Sequence, residues 1–132
     1  MSDSADRSHP VLAGALKERS LQFSVAVVRL CRSARGGVEA RVIVAQLIRS
    51  ATSVAANYRA ACRSRSRREF IARIGVAIEE CDETLLWLEL LTRLNLIAVG
   101  RMTAILQEGN QLLAIFVVSK ATAIRRLKTS LK

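Results

Sequence analysis

The segment SRREFIARIGVAIEECDETLLWLELL, residues 66–91, decides the fold class of this chain. Ser66 and Glu69 make the S-x-x-E pattern of a capping box, which marks the first turn of a helix. Apolar residues then recur every three or four positions, as on one face of a helix, and no sustained strand alternation interrupts them. We therefore predict a long helix that opens at Ser66.

Two stripes of side chains run along this predicted helix. One stripe suits the core of a helix bundle and contains Phe70, Ile74, Ala77, Ile78, Cys81, Leu85 and Leu88. The other is apolar at both ends with two glutamates between, and contains Val76, Glu80, Glu83, Trp87, Leu90 and Leu94. A helix in an isolated bundle needs only the first stripe. The second stripe therefore favours an oligomer interface with another copy of the chain, and a broad face buried within the monomer is the alternative.

Four breaks in the apolar periodicity divide the chain into segments. The breaks are Pro10, Gly36-Gly37, RSRSR at 63–67 and NLIAVG at 95–100. The segments between and beyond them have helical periodicity, and the second runs from about Val38 to Cys62. Four helices joined by short loops predict an all-α, antiparallel up-down-up-down four-helix bundle.

A chain of 132 residues, of which 51% are apolar, suits one folded domain with a single core. We assign residues 11–132 to that domain and residues 1–10 to a flexible polar leader. This leader lacks the apolar core of a secretory signal, and the apolar run 112–118 is too short to span a bilayer. The sequence thus predicts a cytoplasmic protein without a membrane partner.

The residue inventory disfavours catalysis. The one histidine, His9, stands in the polar leader, so neither a Ser–His–Asp triad nor a histidine metal site is expected. The three cysteines include no C-x-x-C pair, and their odd number disfavours a disulfide framework. A nuclease that holds a metal through Glu80, Asp82 and Glu83 is a poor alternative, since these carboxylates do not face one point. We predict a non-enzymatic protein that needs neither a cofactor nor a metal.

A stripe of uncharged hydrogen-bonding side chains follows the second predicted helix at spacings of 4, 3 and 4 residues. It contains Gln46, Ser50, Ser53 and Asn57. Short polar side chains let two helices approach closely and hydrogen-bond across the contact, and a small polar pocket is the alternative. Arg49 lies beside this stripe, and we predict that it pairs with Glu80 or Glu83, because an unpaired charge would be unfavourable there.

Three stretches of the sequence resemble one protein family. They are QLIRSATSVAANYRAA at 46–61, SRREF at 66–70 and EECDETLLWLELL at 79–91, within a similarity that spans about residues 12–129. The family is the four-helix bundle protein family, also called the 23S ribosomal RNA intervening-sequence protein family. Its Q-L-x-R-S-x-x-S-x-x-x-N pattern gives the signature positions Gln46, Arg49, Ser50, Ser53 and Asn57, for which no catalytic role is implied.

The resemblance implies a homopentameric ring of antiparallel four-helix bundles. Related proteins are the accessory variability determinants of diversity-generating retroelements, in which a basic pentamer binds nucleic acid and a reverse transcriptase. This chain departs from the family after Asn57, where Tyr58-Arg59-Ala60-Ala61 replaces the common Ile-Ala-Glu-Gly. Because Ala60 stands where the family has glutamate, any ion pair of that glutamate is lost and the region becomes more basic.

Basic residues outnumber acidic residues by 21 to 11, which gives a net charge of +10. Eleven of the bases fall in two clusters, one with Arg59, Arg63, Arg65, Arg67, Arg68 and Arg73 and one with Lys120, Arg125, Arg126, Lys128 and Lys132. In an up-down-up-down bundle, the two clusters meet at one end. Phosphate backbones bind such an end without sequence readout, and a merely solvated arginine-rich surface is the alternative.

The sequence therefore favours a non-enzymatic oligomeric adaptor that binds RNA or DNA electrostatically. The residues predicted to contact nucleic acid are Arg59, Arg63, Arg65, Arg67, Arg68, Arg73, Arg125, Arg126 and Lys128. The expected partners are further copies of the chain, RNA or DNA, and a reverse transcriptase or another ribonucleoprotein component. The alternative function is a protein-binding scaffold without a nucleic-acid role, in which the bases face an acidic partner.

Overall fold

The computed structural model describes residues 3–131, with side chains described from residue 12 to residue 131. Four α-helices account for most of this range: α1 (Asp3–Cys31), α2 (Val38–Cys62), α3 (Arg67–Arg93) and α4 (Met102–Ser130), with one 3₁₀ turn at Val99–Arg101 before α4. The described residues contain no strand. The predicted all-α class with four helices is therefore confirmed.

The helix ends follow the local signals in the sequence. Ser66 caps α3, and its Oγ accepts a hydrogen bond from the backbone N–H of Glu69 at 3.1 Å, as the capping-box pattern predicts. The observed bounds of α2 match the predicted ones. The turn before α2 depends on Gly36, whose backbone φ is 136°. Residues with a side chain rarely adopt this angle, whereas glycine does so readily.

The first helix begins earlier than the sequence indicates. α1 is assigned from Asp3, so residues 3–10, predicted as a flexible polar leader, are helical, while the side chains up to residue 11 lie outside the described part. The division of the chain into a leader and a domain from residue 11 stays a prediction.

A single core connects all four helices. The fully buried side chains include Phe23, Val27, Leu47, Val54, Ile74, Leu88, Leu112 and Phe116, two from each helix. Tyr58 of α2 stacks on Phe116 of α4, with the ring centroids 5.2 Å apart. Burial of this apolar surface is the main favourable contribution to the stability of the bundle.

The helices contact one another both in chain order and between the first and the last helix. Each helix packs against the next in the chain, and α1 also contacts α4 through Arg19, whose Nη2 donates to Glu108 at 2.6 Å. Between α3 and α4, Gly109 faces Leu85, Lys120 faces Gly75, and Arg67 donates to the carbonyl of Arg126. These contacts therefore pair progressively later residues of α4 with progressively earlier residues of α3.

The connections between helices lie at two ends of the bundle. The backbone N–H of Arg35, between α1 and α2, donates to the carbonyl of Leu96, between α3 and α4, at 2.9 Å. At the other end, Arg67 Nη1 at the start of α3 donates to the carbonyl of Arg126 near the end of α4 at 3.3 Å. The second end thus brings together the two clusters of bases predicted to meet.

Candidate nucleic-acid interface

The predicted nucleic-acid contacts lie on the surface at one end of the described bundle. All of them are exposed except Arg126, which is half-buried and accepts the hydrogen bond from Arg67 through its carbonyl. Lys132, which the sequence groups with the second cluster, lies outside the described residues. The hydrogen bond from Arg67 to the carbonyl of Arg126 joins the two clusters.

Part of this end forms a concave surface, which we call the basic groove. It has a volume of about 850 Å³ and runs across the outer side of α2, between α1 and the start of α3. Its small side chains all come from α2 and are Thr52, Ala55, Ala56 and Ala60. Its bases are Lys17, Arg59, Arg63, Arg65 and Arg73. Leu21 of α1 and Glu69 of α3 complete the lining.

The lining of the basic groove contains five basic side chains and one acidic side chain among the described residues, so its net charge is positive. Glu69 is the one acid among the described lining residues, and its carboxylate already accepts from Arg73 Nε at 3.1 Å and from the backbone N–H of Arg65 at 3.4 Å. The side chains of Arg59 and Arg63 have no acidic partner in the part of the chain that the structure describes. The basic groove therefore presents a surplus of guanidinium groups to solvent, which is a favourable setting for phosphates.

Base stacking has no support in the basic groove. None of the described residues that line it is aromatic. Tyr58, the aromatic residue nearest to the first cluster in the sequence, is 4% exposed and packs on Phe116 instead. Burial, followed by a hydrogen bond with Cys62, raises the pKa of the Tyr58 hydroxyl. Tyr58 is a core residue and does not line the basic groove.

The family-signature arginine joins α2 to α3. The Arg49 guanidinium donates to Glu80 at 3.2 Å and to Glu83, so the predicted pairing is confirmed with both glutamates rather than one. Gln46 Oε1 accepts from Arg49 Nε at 3.1 Å, and Trp87 Nε1 donates to Glu83 at 3.0 Å. The hydrogen bond from Trp87, followed by the one from Arg49, lowers the pKa of the Glu83 carboxyl. Hydrogen bonds with Glu80 and Glu83 raise the pKa of the Arg49 guanidinium.

The remaining signature residues make hydrogen bonds to α3 or within α2 itself. Ser50 is fully buried, and its Oγ accepts from Thr84 Oγ1 of α3 at 2.9 Å. Asn57 is half-buried, and its Nδ2 donates to the carbonyl of Ser53 at 2.9 Å. None of these three residues lines the basic groove. Ser50 thus takes part in the packing of α2 on α3, the role that the sequence favours over a polar pocket for this stripe.

The predicted oligomer stripe is divided between this chain and its surface. Glu80 and Glu83 are held by Arg49 of α2, and Trp87 packs partly against the core. Val76 is 39% exposed and Leu90 is half-buried. Packing within the chain therefore accounts for the middle of the stripe, because α3 has α2 on one side and α4 on the other. Its role in assembly stays a prediction.

Sequence reasoning missed the contribution of α1 to the basic groove. Lys17 and Leu21 lie more than 35 positions before Arg59 in the sequence and meet it only because α1 packs on α2. The serines Ser20 and Ser24, one turn apart on α1, could have indicated this packing, since both are buried and Ser24 Oγ donates to the carbonyl of Ala51 at 2.6 Å. The alanines of the basic groove carried no signal beyond their helical spacing.

Two absences apply to the described range only. No group of three or more His, Cys, Asp and Glu side chains between residues 12 and 131 is arranged to hold a metal ion. No helix within residues 3–131 is both long enough and apolar enough to cross a membrane.

The fold and the basic groove define a small, arginine-rich, four-helix protein. The chain belongs to the 23S rRNA-intervening sequence protein family, whose model matches residues 15–117. It is similar to a crystal structure of a protein of unknown function from the S23 ribosomal protein family of Bacteroides thetaiotaomicron. That likeness has a TM-score of 0.73 and 31% identity, over 83% of this chain and 97% of that one. No curated protein matches the chain.

Proposed function

We propose that this protein is a non-enzymatic oligomeric adaptor that binds RNA or DNA through phosphates at its basic end. The observation that carries the proposal is the basic groove, where the side chains of four of the five bases form no ion pair with an acid among the described residues. Arginine suits this role because its planar guanidinium can contact two phosphate oxygens at once. Arg67, Arg68, Arg125, Arg126 and Lys128 would extend the contact toward the end of α4.

The binding we propose does not read base sequence. Neutralising phosphates releases condensed counterions, so affinity falls steeply as salt rises. The names of the family and of its Bacteroides relative refer to ribosomal RNA and to a ribosomal protein, which fits a nucleic-acid partner. A reverse transcriptase or another ribonucleoprotein component in the cytoplasm would complete the proposed assembly.

We further propose an antiparallel up-down-up-down arrangement that assembles as a homopentameric ring. The pairing of rising positions in α4 with falling positions in α3 supports the arrangement. A ring would gather several basic ends into one positive rim, which raises the local attraction for phosphates. The exposed part of the oligomer stripe, including Val76, supports the interface.

Light scattering tests the assembly. We expect a mass several times the 14.5 kDa of one chain. Val76→Glu should lower that mass without loss of helix content, because this side chain is 39% exposed in the single chain. A monomeric wild-type protein would refute the ring.

Fluorescence anisotropy with labelled RNA, measured across a salt series, tests the main proposal. We expect binding at low salt, and a linear decrease of the logarithm of the association constant with the logarithm of the salt concentration. Absence of binding even at low salt would overturn the nucleic-acid role. The remaining candidate would then be a protein-binding scaffold, which the exposed Leu21 and the alanines of the basic groove favour. Pull-down after nuclease treatment separates the two, since a protein partner survives that treatment.

A further inference from the structure

The basic groove has a composition that selects among nucleic acids. Proteins that hold unpaired bases use aromatic side chains for stacking, together with hydrogen-bond donors and acceptors for the base edges. The described lining contains neither an aromatic ring nor an amide side chain. Its one hydroxyl, on Thr52, already donates within α2 to the carbonyl of Ile48 at 2.8 Å. Apart from the guanidinium groups, the described lining offers an unpaired base no ring to stack on and no free side-chain group for its edge.

Phosphates, in contrast, find several contacts. Arg59 lies in the last turn of α2 and Arg63 caps the end of that helix, so the two residues are about one helical turn, or about 6 Å, apart along its axis. Lys17 approaches from α1 and Arg65 from the connection to α3. The small side chains of Ala55, Ala56 and Ala60 leave room for a backbone strand to come close to α2.

We infer that the basic groove seats one sugar–phosphate strand of a double helix, so that the protein prefers duplexes to single strands. This inference rests on the proposed function and specifies its substrate class. A duplex keeps its bases stacked inside, so it needs no stacking partner on the protein, and it carries a higher charge density than a single strand. Because the groove contacts phosphates rather than sugars or bases, RNA and DNA duplexes both bind, at any sequence.

The charge of the groove sets the size of the effect. Four bases without an acidic partner contribute about −3.6 to the slope of log affinity against log salt for a duplex, and about −2.8 for a single strand. Relative to equal binding at 1 M salt, this difference corresponds to about a sixfold preference for the duplex at 0.1 M salt. Replacing two of these four bases reduces the magnitude of the duplex slope by about 1.8, and the affinity at 0.1 M salt by about 60-fold.

Two double variants with the same change in charge test the location. Arg59→Gln with Arg63→Gln removes two bases of the groove. Arg41→Gln with Arg101→Gln removes two exposed bases at the other end of the bundle and serves as the control. All four positions are exposed, so both variants should keep the helix content of the wild type, which circular dichroism checks.

Anisotropy is measured for the full-length protein with duplex RNA, duplex DNA and one single strand of equal length, each in two sequences. We expect tighter binding to duplexes than to the single strand, little dependence on sequence, and a loss of about 60-fold in the groove variant only. Lack of binding to every probe at low salt overturns the proposed function itself. Binding that both double variants weaken equally overturns the groove alone.

Two further results overturn the inference while a nucleic-acid role stands. Single strands that bind as tightly as duplexes would contradict the duplex assignment. A groove variant whose mass by light scattering falls, while the control keeps its mass, would show that a second copy of the chain occupies the groove. The exposed acids Glu79, Asp82 and Glu89 of α3 are the surface that such a copy would offer.

Discussion

Replacing Gly109 by alanine tests how closely α1, α3 and α4 approach one another in the core. A Cβ at Gly109 would lie 2.8 Å from Leu85 Cδ2 and 3.2 Å from two ring atoms of Phe23. Overpacking of this kind costs about 1–3 kcal/mol. The higher helix propensity of alanine stabilises the fold by about 1 kcal/mol relative to glycine. We therefore expect Gly109→Ala to lower the free energy of unfolding by about 1 kcal/mol.

Two other helical glycines provide matched controls. A Cβ at Gly14 would meet nothing within 4 Å, and a Cβ at Gly75 would meet only the flexible end of Lys120 at 3.2 Å. Both alanine variants should therefore gain about 0.5–1 kcal/mol from helix propensity and reduced freedom of the unfolded chain. The expected gap between Gly109→Ala and either control is about 2 kcal/mol, or roughly 8 °C in melting temperature for a domain of this size.

Urea unfolding followed by circular dichroism measures the series, at one protein concentration because assembly makes stability depend on concentration. Leu85→Ala combined with Gly109→Ala removes the clashing methyl, so the double variant should be more stable than the two single losses predict. If Gly109→Ala is as stable as Gly75→Ala, the close three-helix contact at Gly109 is refuted.

Two remaining predictions concern side chains elsewhere. In thiol titration of the native protein, half-buried Cys62 should react first, because burial raises the pKa of Cys31 to about 11 and that of Cys81 to about 12; equal rates for the three would contradict this packing. Trp87 and then Arg49 lower the pKa of Glu83, so this carboxylate adds stability above the usual pKa of a glutamate and loses it as pH falls through the lowered value. Glu83→Gln should thus be less stable than wild type at pH 7 and equal to it in strong acid, and a gap that persists in acid would count against the ion pair.

Local signals made much of the fold predictable. The position of a helix end depends on residues within about one turn of it. The start of α3 at the Ser66–Glu69 pattern and the bounds of α2 could therefore be predicted from the sequence. The pairing of Arg49 was also predictable, because an unpaired charge beside the polar stripe of α2 is unfavourable and Glu80 and Glu83 are available to pair with it.

The basic groove was only half predictable. Its arginines cluster in the sequence, so their common location followed from helix order. Lys17 and Leu21 joined the groove through the rotation of α1 against α2, which no short-range pattern specifies. Similarly, the second stripe of α3 suggested only a partner surface, and the structure assigns its middle to α2 because Arg49 reaches across to it.

Arginine footprinting tests the central proposal, phosphate binding at the basic groove, most directly. Phenylglyoxal modifies exposed guanidinium groups, and mass spectrometry reports each site with and without saturating duplex nucleic acid. We predict protection of Arg59, Arg63 and Arg65, with unchanged modification of Arg41 and Arg101 at the other end of the bundle. Equal protection at both ends, or none at the groove, would contradict the proposal.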